Sequence, residues 1–129
     1  MAIRTKEEAA EVAASWWAEK IVRPKFDAGS DTPAMMMAEA LATMGTAKIE
    51  ESDQERFKNI LKQKILDNLK KTNYTFGIHC DYHPEGILEE AIVEAKIPST
   101  NAPWKTSMWI DSDGTVSVKY GYGKPVVDL

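Results

Sequence analysis

The sequence has little cysteine, little histidine and no long apolar run, and each shortage excludes a class of protein. Its 129 residues include one cysteine, Cys80, and two histidines. A lone cysteine excludes an intramolecular disulfide and a zinc site built from several thiolates, which points to a reducing compartment. No stretch approaches the ~18 apolar residues that span a bilayer, and the N-terminal residues lack the apolar centre of a signal peptide. We therefore expect a cytoplasmic protein without a membrane partner.

The chain also lacks a large excess of charge of either sign. Lys and Arg number 16 against 20 Asp and Glu, which leaves a formal net charge of -4. A domain that clamps nucleic acid carries a strong positive balance, so direct nucleic-acid binding is not expected of this chain. A local basic patch is compatible with the same composition.

The motifs of several enzyme classes are absent as well. The sequence contains no G-x-S-x-G, P-loop, G-x-G-x-x-G or H-E-x-x-H segment. Cys80 lies next to His79, but strand alternation directs neighbouring side chains to opposite faces, with the thiol toward the core. We predict no catalytic residue, no cofactor and no metal, and the sequence favours a binding protein over an enzyme.

What the sequence does contain is an ordinary globular composition, 43% hydrophobic and 28% charged, with a change of period along the chain. Apolar residues recur at helical spacing up to residue 71 and then alternate with polar ones. We predict a single α+β domain over 1–129, with three N-terminal helices and then β-α-β-β, its small three-stranded sheet having helices packed on one face. The predicted helices cover 5–22, 33–44, 52–71 and 85–96, and the predicted strands cover 74–82, 105–111 and 115–122.

Helix faces follow from the same spacing. The third helix should begin at Ser52, three residues before Glu55, as in a capping box. In the first helix the adjacent Trp16 and Trp17 point about 100° apart, so one of them should meet solvent or a partner. The second helix should turn one stripe toward the core, formed by Met37, Ala40, Leu41 and Met44.

Period-two alternation assigns the strand residues to two faces of the sheet. The apolar face, which the helices should cover, collects Phe76, Ile78, Cys80, Met108, Ile110, Val116, Val118 and Tyr120. The polar face collects Gly77, His79, Asp81, Lys105, Ser107, Trp109, Ser117 and Lys119. The polar face is therefore open to solvent, to another subunit or to a ligand.

Trp109 is the unusual member of the polar face. An exposed indole in a polar surface gives up the benefit of burial, and such residues are enriched at interfaces and ligand contacts. Trp109 therefore predicts an interface with another copy of the chain or with a partner protein, and we expect a homo-oligomer. A small-ligand contact, plain solvent and cover by the N-terminal segment are the alternatives.

One cluster has residue types that bind metals, namely His79, Asp81 and His83. Successive same-face positions on a strand lie about 6.5–7 Å apart, so three of them cannot converge on one ion without a bend. Pro84 follows directly and could supply such a bend. We favour a role for Asp81 as the partner of a histidine, or of Lys105 across the sheet, over metal binding.

The segment Trp104-Lys105-Thr106 places an aromatic ring, a cation and a hydroxyl at the entrance to a strand. A nucleotide ligand needs an aromatic plane for its base and positive charge for its phosphate. The same ligand could be contacted by further residues, namely Arg23, His79, Asp81, Trp109, Lys119 and Tyr122. The alternative is that Trp104 closes one end of the core while Lys105 is simply exposed.

The Trp-Trp pair, the Trp104-Lys105-Thr106 segment and the Tyr-Gly-Tyr-Gly ending of the last strand together resemble small uncharacterised proteins encoded by phages and prophages. The resemblance covers mainly residues 74–123 and includes no catalytic motif. It implies an accessory protein that acts in the cytoplasm of an infected bacterium, for example against a host defence system.

Three functions are compatible with these patterns. The first is a non-enzymatic protein that binds and sequesters a nucleotide-like small molecule. The aromatic and basic residues described above favour this function. The second is a protein-binding inhibitor of a host defence enzyme or nuclease. The third is a small hydrolase that uses His79 and Asp81, which the strand spacing and the missing nucleophile disfavour.

Overall fold

The computed structural model describes residues 4–24, 26, 32–71, 75–121 and 123–129. Within these ranges the chain forms four helices and a four-stranded antiparallel sheet, which is the predicted α+β class. The helices are α1 (Lys6–Val22), α2 (Pro33–Met44), α3 (Glu51–Lys71) and α4 (Gly86–Glu94), and a short 3-10 helix covers Ser99–Asn101. The strands are β1 (Phe76–Cys80), β2 (Thr106–Ile110), β3 (Val116–Tyr120) and β4 (Val126–Asp128).

Helix α1 begins with the capping box that the sequence predicts. The Thr5 hydroxyl accepts a hydrogen bond from the Glu8 backbone N–H, and the Glu8 carboxylate accepts one from the Thr5 N–H, both at 3.1 Å. These two bonds satisfy backbone donors that the first helical turn leaves without partners. One side of the helix is fully buried and consists mainly of small side chains: Ala9, Ala10, Ala13, Ala14, Trp17, Ala18 and Ile21.

The core lies between the helices and one face of the sheet. The alanine side of α1 allows α3 to approach closely, and α3 in turn packs against α4. Helices α1 and α4 contact the sheet itself, α1 on β2 and β3 and α4 on β1. The α3 side chains that fill the centre are Phe57, Leu61, Ile65, Leu66 and Leu69.

The sheet has the strand order β1-β2-β3-β4. Its register places Ile78 opposite Met108 and Met108 opposite Val118, all three buried beneath the helices. On the other face His79 lies opposite Ser107, which lies opposite Lys119. The predicted division into an apolar and a polar face is therefore confirmed. In β1, β2 and β3 alike, successive residues alternate between the two faces.

Three details of the predicted fold are wrong. The sheet has a fourth strand, because the chain after Pro125 returns along β3 and pairs Val127 with Val118. Helix α3 begins at Glu51, so Ser52 lies inside its first turn and is not the N-cap. Helix α2 contributes no buried residue, and Met37, Leu41 and Met44 are exposed although their spacing predicted a core stripe.

The two tryptophans of α1 divide as expected. Trp17 is fully buried, while Trp16 is half-buried at the edge of the core. The Trp16 ring meets the Tyr120 ring edge-on at a centroid distance of 5.2 Å. The Lys20 ammonium lies 5.4 Å from the Trp16 ring and 5.3 Å from the Tyr120 ring. Trp16 is therefore partly covered by residues of its own chain.

The lysines of α3 bridge neighbouring helices. Lys58 and Lys62 both contact the carboxylate of Glu11 on α1, at 2.9 and 3.0 Å. These hydrogen bonds lower the pKa of Glu11 below its usual value. Lys64 contacts Glu90 and Glu94 on α4 at 3.5 and 3.2 Å. Three lysines of α3 thus pair with acidic side chains of the neighbouring helices.

Asn101 is a buried polar residue that joins three separate segments. Its side-chain amide donates to the carbonyls of Ile21 and Ala47, at 3.0 and 2.9 Å. Its side-chain oxygen accepts a hydrogen bond from the Ala47 backbone N–H at 2.9 Å. The end of α1, the chain between α2 and α3, and the 3-10 helix are therefore held together by one amide group.

We predict that Asn101→Ala lowers the free energy of unfolding by about 2–3 kcal/mol, because it leaves buried backbone groups without partners. Urea denaturation followed by circular dichroism would measure the change. Ser99→Ala is the matched control, since Ser99 is an exposed residue of the same 3-10 helix, and it should cost less than about 0.5 kcal/mol. Equal costs for the two variants would show that the Asn101 bonds are not important for stability.

Candidate functional site

Two cavities adjoin each other where β1 ends and β2 begins. The smaller one, here the polar cavity, has a volume of about 190 Å³ and opens on the polar face of the sheet. The larger one, here the aromatic cavity, has a volume of about 470 Å³ and lies beside α2. The polar side chains around the first are those of His79, Asp81, Glu85, Lys105, Ser107 and Lys119.

The register of the sheet builds the row of side chains along the polar cavity. Ser107 lies between His79 and Lys119 on neighbouring strands, and its hydroxyl is 3.0 Å from Nδ1 of His79. The imidazole lies over Gly77, where a β-carbon would come within 2.5 Å of its Nε2 atom. Glycine at this position therefore allows the imidazole to lie along the sheet toward its serine partner.

Lys105 is held at the junction of the two cavities. It has a left-handed backbone, with φ at 53°, and its N–H donates to the Asp81 carbonyl at 2.7 Å. The Lys105 carbonyl accepts a hydrogen bond from the Gly121 N–H at 3.1 Å, so its main chain is fixed on both sides. The Lys105 ammonium contacts the Asp81 carboxylate at 2.5 Å and lies 4.6 Å from the centre of the Tyr82 ring.

The aromatic cavity has three rings on its walls. Trp104 meets Phe26 edge-on at a centroid distance of 5.3 Å and meets Tyr82 in the same way at 5.1 Å. The other walls come from α2 and its C-cap, from His83 and from the 3-10 helix: Ala38, Leu41, Ala42, Gly45, His83, Ser99 and Thr100. The cavity is therefore mostly apolar, with the Lys105 cation beside one of its rings.

The residues predicted to contact a ligand are only partly brought together. Lys105, Lys119, His79 and Asp81 line the polar cavity, and Trp104 lines the aromatic one.

The remaining predicted residues are placed differently. Thr106 also borders the polar cavity, but its side chain is buried and its hydroxyl donates to the Trp104 carbonyl at 3.0 Å. Trp109 lines neither cavity and is half-buried, 6.1 Å from the His79 ring. Arg23 is exposed at the C-cap of α1 and also lines neither. Tyr122 lies outside the described residues.

Sequence reasoning missed Phe26 and Tyr82 as walls of the aromatic cavity. Alternation assigned Tyr82 to the end of a strand, but β1 ends at Cys80 and the chain turns so that Cys80 bridges to Pro84. This turn takes the Tyr82 ring away from the sheet and toward Trp104. Pro84 was the sequence feature that could have indicated this turn. Phe26 is remote in sequence from both rings, so no local pattern indicated the contact.

The metal-ligating residue types do not converge in the described part of the chain. His79 lines the polar cavity and His83 lines the aromatic one. No group of three His, Cys, Asp or Glu side chains among the described residues has the geometry to hold an ion. Asp81 pairs with Lys105, which is one of the two partners that the sequence suggested for it.

No family model matches the chain, and no curated protein is significantly similar to it. Among the described residues, no helix combines the length and the apolar character that a bilayer-spanning segment requires. The geometry of the two cavities is therefore the basis for any statement about function.

Cys80 borders the polar cavity, but its chemistry makes it a poor nucleophile. Burial, together with the nearby carboxylates of Glu85 and Asp81, raises the pKa of the Cys80 thiol to about 12. The thiol is 1% exposed and faces the core. A protonated, covered thiol does not attack a substrate at neutral pH.

We predict that iodoacetamide at pH 8 alkylates Cys80 in the native protein at least about a thousandfold more slowly than in the urea-unfolded chain. The pKa near 12 leaves little thiolate in the folded state, and burial limits access to it. The reaction is followed by mass spectrometry. Raising the pH to 10 should accelerate labelling of the unfolded chain to its plateau, whereas the native rate should still be rising. Native labelling within tenfold of the unfolded rate would contradict this assignment.

Proposed function

We propose that the protein is a non-enzymatic binding protein that sequesters a nucleotide-like small molecule, one that carries a flat ring next to an anionic group. The observation that supports this proposal is the position of Lys105. Its ammonium lines the polar cavity and lies 4.6 Å from the ring of Tyr82, which is a wall of the aromatic cavity. A stacking surface and a cation are thus adjacent.

The aromatic cavity has the size and chemistry for the ring of such a ligand. Its volume of about 470 Å³ is within the range of small-molecule sites. Trp104 and Tyr82 stand roughly perpendicular to each other, with 79° between their planes, so one ring can stack on the ligand while the other meets its edge. Such contacts tolerate different bases, because every base has an aromatic face.

The polar cavity supplies the charge for the anionic group. It contains two lysines, Lys105 and Lys119, and two carboxylates, Asp81 and Glu85. Asp81 already contacts Lys105, whereas the Lys119 ammonium has no side-chain partner among the described residues. A phosphate group would contact the Lys119 ammonium. It would also contact the Lys105 ammonium, either beside the Asp81 carboxylate or in its place. Asp81 therefore tunes how strongly the cavity attracts an anion.

Binding without turnover is favoured over hydrolysis by the partners of the polar residues. His79 contacts the Ser107 hydroxyl and Asp81 contacts Lys105, so among the described residues the His79–Asp81 pair of the hydrolase alternative is not formed. The thiol of Cys80 is buried and protonated. A sequestering protein of this kind suits the phage accessory role that the sequence resemblance suggests, because removing a host signal requires binding alone.

The first test is isothermal titration calorimetry of the full chain against a panel of nucleoside monophosphates, cyclic mononucleotides and cyclic dinucleotides. For a nucleotide that binds, Trp104→Ala should lower the affinity about 5- to 150-fold, because a stacking contact is worth about 1–3 kcal/mol. Trp104→Phe keeps an aromatic plane and should recover most of the loss.

A control for folding and one for charge accompany this test. Circular dichroism melting shows whether Trp104→Ala keeps the fold. Lys105→Met should weaken binding and flatten its salt dependence, whereas Lys124→Met, at an exposed position outside both cavities, should do neither. If no nucleotide in the panel binds, or if Trp104→Ala binds as the wild type does, the proposal is wrong.

Because Asp81 pairs with Lys105, a substitution that removes the Asp81 charge should raise the ligand affinity and not lower it. We predict that Asp81→Asn increases the affinity for an anionic ligand about three- to tenfold at low salt, because it removes a competing carboxylate from Lys105. The increase should disappear in high salt. Glu89→Gln removes the same charge from an exposed position on α4 and should leave the affinity unchanged. A loss of affinity in Asp81→Asn would indicate that the ligand is recognised through the carboxylate instead.

A further inference from the structure

Helix α2 is apolar over most of its circumference and yet contributes no buried residue. Its sequence contains four methionines and one charged residue, Glu39. Met36, Met37 and Met44 are 58%, 62% and 81% exposed. A helix of this length is marginal in water by itself, and a helix that is apolar on several sides is normally covered on those sides.

The cavity-lining residues and the most exposed residues of α2 lie on different sides of the helix. Ala38, Leu41, Ala42 and Gly45 follow helical spacing along the side that lines the aromatic cavity. Met36, Ala40 and Met44 lie one turn apart on another side, about 150° away, with all three exposed. The second set is here called the methionine stripe. It is separate from the cavity wall and lines neither cavity.

The methionine stripe is symmetric about its centre. A small side chain, Ala40, is flanked at equal distances of four residues by Met36 and Met44. If a second copy of α2 runs antiparallel to the first, Ala40 meets Ala40, and each Met36 meets the Met44 of the other copy. Small residues at a crossing point allow two helices to approach closely, and a two-fold interface requires a patch that complements itself.

We infer that the methionine stripe is a self-association surface, on which α2 of a second copy of this chain packs antiparallel about a two-fold axis through Ala40. The stripe carries no charge that would oppose the contact. Flexible methionines adapt to each other readily, which suits the packing of two identical surfaces. This inference does not depend on the proposed ligand or on either cavity.

The available area indicates the strength of the contact. With Met36, Met37 and Met44 between 58% and 81% exposed, the uncovered apolar area on and beside the stripe is on the order of 400 Å² per copy. Two copies would bury about 800 Å² in total, which is the size of a weak, transient interface and not of a stable one. We therefore expect a reversible dimer with a micromolar or weaker dissociation constant, not an obligate one.

Disulfide trapping of the full chain tests the axis directly. Ala40→Cys places one introduced thiol next to its copy, and mild oxidation with copper phenanthroline should convert most of the protein to a covalent dimer. Val93→Cys is the matched control, since Val93 is 66% exposed on α4 and should give little dimer. The native Cys80 does not interfere, because it is 1% exposed. Equal trapping of the two variants would overturn the inference.

Charge exchange tests the antiparallel direction. Met36→Lys alone and Met44→Glu alone should each weaken the dimer at least tenfold in sedimentation equilibrium, because each opposes a charge to a methionine. The double variant Met36→Lys/Met44→Glu should recover much of the association, because every lysine then meets a glutamate of the other copy. In a parallel pair the double variant would instead oppose like charges, and a weaker dimer in it than in either single variant would refute the antiparallel arrangement.

The mass of the wild-type protein, measured at increasing concentration, tests whether the dimer forms at all. A concentration-dependent increase in mass that Met44→Glu abolishes and Val93→Glu leaves intact supports the inference. A wild-type chain that stays monomeric up to millimolar concentration overturns it, and the stripe would then have to be covered by a different protein or left uncovered. Because the ligand titrations are done separately, failure of the dimer leaves the proposed function standing, and the reverse also holds.

Discussion

The burial of one face of the sheet under α1 and α4 is the constraint on which the candidate site depends. Once Ile78, Met108 and Val118 face the helices, the pleat sends their neighbours to the opposite face. His79 and Lys119 therefore flank Ser107 in one row, although they lie 40 residues apart in sequence. A slip of one residue in the register would exchange the two faces and remove both the core and the polar cavity.

Lys105 links this row to the aromatic cavity because both its backbone and its side chain are held by neighbouring groups. Hydrogen bonds from Lys105 to Asp81 and from Gly121 to Lys105 hold the residue in a left-handed conformation at the entrance of β2. A non-glycine residue seldom adopts that conformation unless its surroundings impose it, and such residues occur often at ligand sites. The Asp81 carboxylate then limits the directions open to the ammonium, so the cation stays beside the Tyr82 ring.

Local periodicity was sufficient to predict α1, α3, α4, the first three strands and the two faces of the sheet, because in these elements the buried side follows the helical or strand period. It failed at α2, whose Met37, Leu41 and Met44 have core spacing but no core beside them. It also missed β4, a three-residue strand that follows a proline and is exposed throughout. Alternation predicted that His79, Ser107 and Lys119 share the polar face, but it gave no indication of Glu85. The contact of Trp104 with Phe26 depends on tertiary packing that no local pattern contains.

Helix α2 connects the two proposals, because one of its sides walls the aromatic cavity and another carries the methionine stripe. Its C-terminal end is tied to the rest of the protein near Ala47, which Asn101 holds at 2.9 Å. A contact that held α2 in place would also hold the wall formed by Ala38 and Leu41, and under the proposed function it would reduce the entropy lost when the ligand binds. By linkage, a ligand that requires this wall would strengthen the contact between copies by the same factor. A helix with no buried residue in the free chain is thus the element through which occupancy of the cavity and association of the chain can be coupled.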